Sequence, residues 1–213
     1  MKCSDRYERG LNKMRIIVIG ASGLIGKEVV KSLSPRHEVV RVGHKSGDLR
    51  VDITSKDSIE ELFRSAGSFD ALVSVAGGAA FGELGKLTDE NFAWSLSDKL
   101  MGQVNLVRAG LAHARDNGSF TLTSGVLARE PIPGSAAISL VNSAIEGFVG
   151  AAALEMKRGI RVNVVSPPFA TETLKALGMD TSFGIPAEKF AAAYVESVEG
   201  KRSGEIIDVR KFI

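Results

Sequence analysis

Cysteine is nearly absent, with Cys3 the only one in 213 residues. A single thiol excludes an intrachain disulfide framework and a cysteine-rich zinc site. Histidine is almost as sparse, and His37, His44 and His113 show no metal-ligand spacing, so no metal is expected. Tyrosine occurs only at Tyr7 and Tyr194. No uninterrupted apolar run approaches the ~18 residues of a membrane-spanning helix. Charge of one sign is lacking too: 27 Lys and Arg face 25 Asp and Glu. The small basic excess belongs to residues 1–15, where Lys2, Arg6, Arg9, Lys13 and Arg15 outnumber Asp5 and Glu8. No basic stripe of the kind that binds nucleic acid runs through the rest. Neither a nucleic-acid nor a membrane partner is expected, and the expected location is cytoplasmic. Residues 1–13 have no apolar core and do not read as a signal peptide. They are expected to be a disordered extension, with Met14 an alternative start just ahead of the first strand.

What is present is an ordinary globular mixture, 44% apolar and 24% charged. The length suits one domain, expected over 14–213. Arg15 to Gly20 is a short run rich in β-branched residues and reads as a strand buried on both faces. Helical spacing follows over 24–33, then strands over 38–42 and 48–53, a helix to about 66 capped by Thr54 or Ser55, and a strand over 71–75. A long helical stretch, with room for one break, spans about 89–115 before an Asn117-Gly118 turn and a strand over 119–123. A loop over 126–134, a helix over 135–157, a strand over 160–165, a helix from Pro186 to about 198 and a strand over 204–209 complete the chain. Strands alternating with helices imply right-handed crossovers and a parallel, doubly wound α/β sheet of about seven strands.

Gly20-Ala21-Ser22-Gly23-Leu24-Ile25-Gly26 joins the first strand to the first helix. Glycines there permit a tight turn and close approach of backbone to a pyrophosphate, which the helix N–H groups then hold. The bland alternative is a glycine-rich turn without a ligand. At the end of the second strand an acid accepts from the ribose hydroxyls of NAD, whereas a basic group suits the 2′-phosphate of NADP. This segment offers Arg41, Lys45 and Ser46, and its first acid is Asp48. NADP(H) is therefore expected over NAD(H), the alternative being a solvated basic loop.

From Met14 to the C-terminus the chain resembles the short-chain dehydrogenase/reductase family. The resemblance is carried by the Gly20–Gly26 turn, Val51-Asp52-Ile53, Ala76-Gly77, Leu122-Thr123-Ser124-Gly125, Ala144-Ile145-Glu146-Gly147-Phe148 and, most specifically, Gly159-Ile160-Arg161-Val162-Asn163-Val164-Val165-Ser166-Pro167. It implies a Rossmann-type sheet ordered 3-2-1-4-5-6-7 and hydride transfer between a nicotinamide and a small carbonyl or alcohol. It also implies adenine contacts at Asp52 and Ile53, further cofactor contacts at Ala76, Gly77, Gly78 and Pro167, and one at Thr171 or Thr173, with Thr173 preferred. Only about 18 residues separate Pro167 from Pro186, so a small substrate-covering lid is expected. Family members pair through helices that here span about 89–115 and 135–157, so a homodimer or homotetramer is implied. Small residues at Ala144, Gly147 and Ala151 suit close helix approach, unless that face packs on the chain's own sheet.

The catalytic pattern departs from the family, whose members use Asn, Ser, Tyr and Lys. Ser124 matches the serine, but the tyrosine position falls on Ile138 and the lysine position on Asn142. The asparagine position, read from Leu100-Met101-Gly102, falls on Lys99. An isoleucine cannot donate a proton, so the usual mechanism cannot run. One expectation is an exchanged pair: Lys99 restores a cation beside the nicotinamide ribose and acts as the acid, while Asn142 hydrogen-bonds the ribose. The other is a solvated lysine and an idle asparagine. Two functions follow, an NADP(H)-dependent oxidoreductase with a divergent site, its proton delivered by Lys99, Ser124 or bound water, or an NADP(H)-binding sensor without turnover. Phe81 and Phe169 are candidate substrate walls, and Leu87 and Trp94 read as core or interface.

Overall fold

The computed structural model describes residues 13–213; the expectations placed on residues 1–12 lie outside it. Seven strands form one parallel sheet in the order β3-β2-β1-β4-β5-β6-β7. They are β1 (Arg15–Ile19), β2 (Glu38–Gly43), β3 (Leu49–Arg50), β4 (Phe69–Ser74), β5 (Ala114–Thr123), β6 (Arg161–Ser166) and β7 (Ile206–Asp208). The helices are α1 (Leu24–Leu33), α2 (Lys56–Ala66), α3 (Asp89–Ser95), α4 (Gly102–Gly110), α5 (Ala136–Glu155), α6 (Thr171–Ala176) and α7 (Ala191–Glu199).

Alternate side chains of the central strands serve two apolar layers, which is why β1 is apolar from Ile16 to Ile19. Ile17 and Ile19 join Phe63, Phe69, Phe120, Ile145 and Val149 on the face covered by α2, α4 and α5. Ile16 and Val18 join Val29, Leu33, Phe190 and Tyr194 on the face covered by α1 and α7. Tyr194 is completely buried in this second layer, its hydroxyl 3.0 Å from Thr123 Oγ1.

Several boundaries differ from the sequence expectation. β5 starts at Ala114 because Asn117 takes a left-handed conformation (φ 63°), so the expected turn becomes a bulge between the Phe69–Ala114 and Ala71–Ser119 pairs. The 89–115 stretch is interrupted by a π segment over Leu96–Met101 and ends at Gly110. The segment after β6 contains α6, a helix of six residues that the sequence pattern did not reveal. By length and composition α5 is apolar enough to cross a membrane, although it carries Asn142 and Glu146. It packs Val141, Ile145 and Val149 against the sheet, as a core helix does.

Candidate active site

The carboxyl ends of β1, β4, β5 and β6 open on a cleft of about 370 Å³. Gly23, Leu24 and Ile25 line it from the β1–α1 turn, and Val75, Ala76 and Gly77 from the end of β4. Lys99 comes from the π segment and Ile138 and Asn142 from α5. Ser124, Pro167, Phe169 and Thr173 contribute from the segments after β5 and β6. Of the residues expected at the site, these ten are brought together: Gly23, Leu24, Ile25, Ala76, Gly77, Lys99, Ser124, Asn142, Pro167 and Thr173. Phe169, expected as a substrate wall, is with them; Phe81 instead lies half-exposed against Gly134.

The turn is built as a cradle. Gly20 has φ +83°, and its N–H donates to the Val42 carbonyl at 2.8 Å. Gly23 N–H bonds the Gly20 carbonyl at 2.9 Å, and a Cβ on Gly26 would strike that same oxygen. Gly23 is the N-cap of α1 and offers no side-chain cap, and the first turn holds no acidic residue. By contrast, Ser55 caps α2 and Thr88 caps α3 with a reciprocal capping box. The first N–H groups of α1 thus have no intrahelical acceptor and carry the positive end of the helix dipole.

Around the end of β2 the structure redistributes the expected basic residues. A depression of about 440 Å³ is lined by Ala21, Ser22, Lys27, Val30, Arg41, Ser46, Gly47 and Asp48. Lys45 is exposed and does not line it, while Lys27, in the first turns of α1, does. Arg41 is paired with Asp48, which accepts from Nη2 at 2.6 Å, from Nε at 3.1 Å and from the Arg41 backbone N–H at 2.9 Å. Those bonds hold the Asp48 carboxyl down at about 2.

Gly20, Gly26 and Lys45 line neither hollow, and Asp52, Ile53 and Gly78 also sit apart from both. Asp52 closes its own turn, accepting from Thr54 N–H at 2.9 Å and Thr54 Oγ1 at 2.7 Å. Ile53 is buried against Gly102, where an added Cβ would lie 2.8 Å from its Cδ1. Gly78 donates its N–H to Asp98 Oδ2 at 2.6 Å beneath the half-exposed Trp94.

Lys99 is not a solvated helix lysine, being only 9% exposed. Burial pushes its ammonium down from the ordinary 10.5 to about 8, with Asp98 opposing the shift. The π segment that carries it is pinned by Gln103, whose Nε2 donates to the Lys99 carbonyl at 3.2 Å and to the Thr123 carbonyl at 2.9 Å. Insertions of this kind commonly redirect side chains at functional sites. Asn142 is 1% exposed, and its Oδ1 has no hydrogen-bond partner among the described residues. A buried acceptor without a partner, on a residue that lines the cleft, fits a ligand hydroxyl. Tyr194 cannot supply the missing acid: burial pushes its hydroxyl well above the usual tyrosine range, and it does not line the cleft.

Ser124 departs from its expected role. Its Oγ donates to Glu146 Oε1 at 2.8 Å. Arg129 Nη1 donates to the same oxygen at 2.5 Å, and its Nη2 donates to Ser166 Oγ at 3.0 Å. Glu146 escaped notice as a site residue because it is one of several polar positions on an alanine-rich helix. Lys27 escaped because it follows the glycine turn rather than β2.

An uncapped glycine turn opening a helix at the carboxyl ends of a parallel sheet defines a dinucleotide-binding protein of Rossmann type. The chain belongs to the short-chain dehydrogenase/reductase family of oxidoreductases: residues 24–213 match the family model described as enoyl-(acyl carrier protein) reductase. It is 43% identical to the protein lin1944 from Listeria innocua, with a TM-score of 0.89 over 92% of this chain and 99% of that one. A small-chain dehydrogenase solved in complex with NADPH is 28% identical, with a TM-score of 0.82 over 92% and 96% of the two chains. A hydroxynaphthalene reductase-like protein of Metarhizium brunneum is 26% identical over 192 residues, 78% of this chain and 72% of its own length.

Proposed function

We propose that this protein is an NADP(H)-dependent oxidoreductase that interconverts a small alcohol and its carbonyl compound, with Lys99 taking the proton-exchanging role that tyrosine holds in the family. The observation that carries this reading is Lys99, buried in the cleft with a proton it can give up near neutral pH. Bound there, a nicotinamide would give or accept the hydride. The β1–α1 turn would hold its pyrophosphate through the free N–H groups of α1. Asn142 Oδ1 would accept from a nicotinamide ribose hydroxyl, satisfying the orphan acceptor. Lys99 Nζ would release its proton to the substrate oxygen during reduction and take it back during oxidation. A general acid titrating near the working pH suits both directions. Phe169, Pro168, Ile138 and Leu127 give the cleft apolar walls that keep water from the reacting end.

The preference for NADP(H) is supported by Lys27, Arg41, Ser22 and Ser46 around the second depression. Two cations and two hydroxyls suit a 2′-phosphate. Asp48 orients Arg41 and also partly neutralises it, so Lys27 is the cation that decides the preference. The small-chain dehydrogenase solved with NADPH is a relative in line with this reading.

A calorimetric titration with NADPH and NADH tests the reading. Tighter binding of NADPH, lost preferentially in Lys27→Ala, supports it. Equal affinity for the two removes the NADP(H) assignment, and binding of neither removes the oxidoreductase. Tight binding without turnover of any alcohol or carbonyl, unchanged by Lys99→Ala, would instead favour a sensor, for which Ile138 in the tyrosine position is the one specific argument.

A further inference from the structure

The single hydrogen of Ser124 Oγ is already committed, since it is donated to Glu146 Oε1 at 2.8 Å. A carboxylate has no hydrogen to give back, so the direction of this bond is fixed, and what Ser124 offers the cleft is lone pairs. Arg129 holds the acceptor still: its Nη1 bonds the same oxygen at 2.5 Å, and its Nη2 is anchored on Ser166 Oγ at 3.0 Å. The Glu146 side chain is 9% exposed, so water competes poorly for it. Charge-assisted bonds of this kind are roughly twice as strong as neutral ones. Turning Ser124 around to donate into the cleft would therefore break the best bond it has.

From this chain of contacts we infer that Glu146 is a positioning residue that sets Ser124 as a hydrogen-bond acceptor, so that the cleft selects an alcohol over the matching ketone. The inference rests on the oxidoreductase reading and names its substrate class. While Lys99 is protonated, an alcohol oxygen donates to Ser124 Oγ and accepts from Lys99 Nζ; once Lys99 is neutral, the same hydrogen turns to Nζ for transfer during oxidation. A ketone oxygen accepts from Lys99 alone and leaves Ser124 facing a second acceptor, a mismatch worth roughly tenfold in affinity. A protonated amine offers hydrogens too, but it meets the Lys99 ammonium as a like charge.

The test uses cyclohexanol and cyclohexanone, which differ little except in that hydrogen. Each is titrated into the full chain with and without NADPH, following the Gly125 and Val126 amide signals by NMR. The wild type is expected to bind the alcohol roughly tenfold more tightly. Glu146→Leu, which frees the Ser124 hydrogen, is expected to abolish or reverse the preference. Glu146→Gln is expected to keep it, because both existing bonds fall on one oxygen and an amide oxygen can accept both. Ser124→Ala, the smaller perturbation, is expected to level the two ligands. A wild type that binds the ketone as tightly as the alcohol, binds neither, or keeps its preference in Ser124→Ala overturns the inference. Failure to bind NADPH with the alcohol preference intact would overturn the cofactor reading instead.

Discussion

Gly77 lies directly against the backbone of Lys99: a Cβ on Gly77 would sit 2.8 Å from Lys99 Cα and 3.4 Å from its Cβ. The segment after β4 and the π segment are thus in contact at Gly77, which has φ +102°. A side chain at 77 would force the Lys99 backbone to shift. Gly77→Ala is expected to weaken NADPH binding together with turnover, both strain and overpacking contributing, the latter about 1–3 kcal/mol. Calorimetry alongside a melting curve checks this.

Removing Lys99 should stabilise the fold in a way that depends on pH. Burial holds its folded-state pKa at about 8 against an ordinary 10.5. Between those values the unfolded chain keeps the proton that the folded chain has lost, so the stability of the native protein rises with pH across this window. Lys99→Met is therefore expected to be more stable than wild type at neutral pH, by something on the order of 3 kcal/mol. The gap should close by the upper end of the window. Urea unfolding at a series of pH values measures it, and a gap independent of pH would contradict the burial of a charged ammonium.

The exchanged pair can be tested by exchanging it back. Asn142→Lys alone places a second ammonium in the cleft beside Lys99, and a lowered melting temperature is expected from the uncompensated charge. Lys99→Asn combined with Asn142→Lys restores one cation and one amide. The double variant is expected to recover most of that loss, giving a coupling energy within the roughly 0.5–3 kcal/mol range of interacting neighbours. Additive effects of the two substitutions would show that the residues act independently.

At the adenosine end, Lys27→Ala is expected to weaken NADPH binding roughly tenfold or more with little change for NADH, the signature of a lost phosphate contact. Asp48→Asn is expected to act the other way, because it leaves the Arg41 guanidinium fully charged toward the depression. Lys45→Ala should change neither. Parallel titrations of the three variants with both nucleotides check the set.

An assembly through α5 predicts that its outward face matters. Gly147 and Gly150 have open space where a side chain would go, and Leu140 and Leu154 are exposed. Gly147→Glu is expected to lower the oligomeric mass by light scattering while leaving the melting curve of the protomer recognisable.

The sheet was legible because the central strands are buried on both faces and read as short runs of mostly apolar or β-branched residues, while glycine and proline mark the ends. The start of β5 was not, because Arg115, Asp116 and Asn117 look like a polar turn and only the left-handed Asn117 lets Ala114 pair with Phe69. α6 is too short for periodicity to declare it. The site was legible where backbone chemistry sets the pattern, as in Gly20 to Gly26. It was less so where side chains converge from distant segments. Lys27 and Arg41 line one depression from two elements, and Glu146 reaches Ser124 across 22 positions. That Asp52 would spend its carboxylate on Thr54, or Asp48 on Arg41, depends on local turn geometry that residue types alone do not specify.

The most direct measurement is an NMR titration of the Lys99 side chain, assigned by comparison with Lys99→Arg, in the presence and absence of NADPH. The account predicts that Lys99 titrates at about 8 and shifts when the nucleotide binds. A Lys99 signal that titrates at the ordinary 10.5 and ignores NADPH would contradict it.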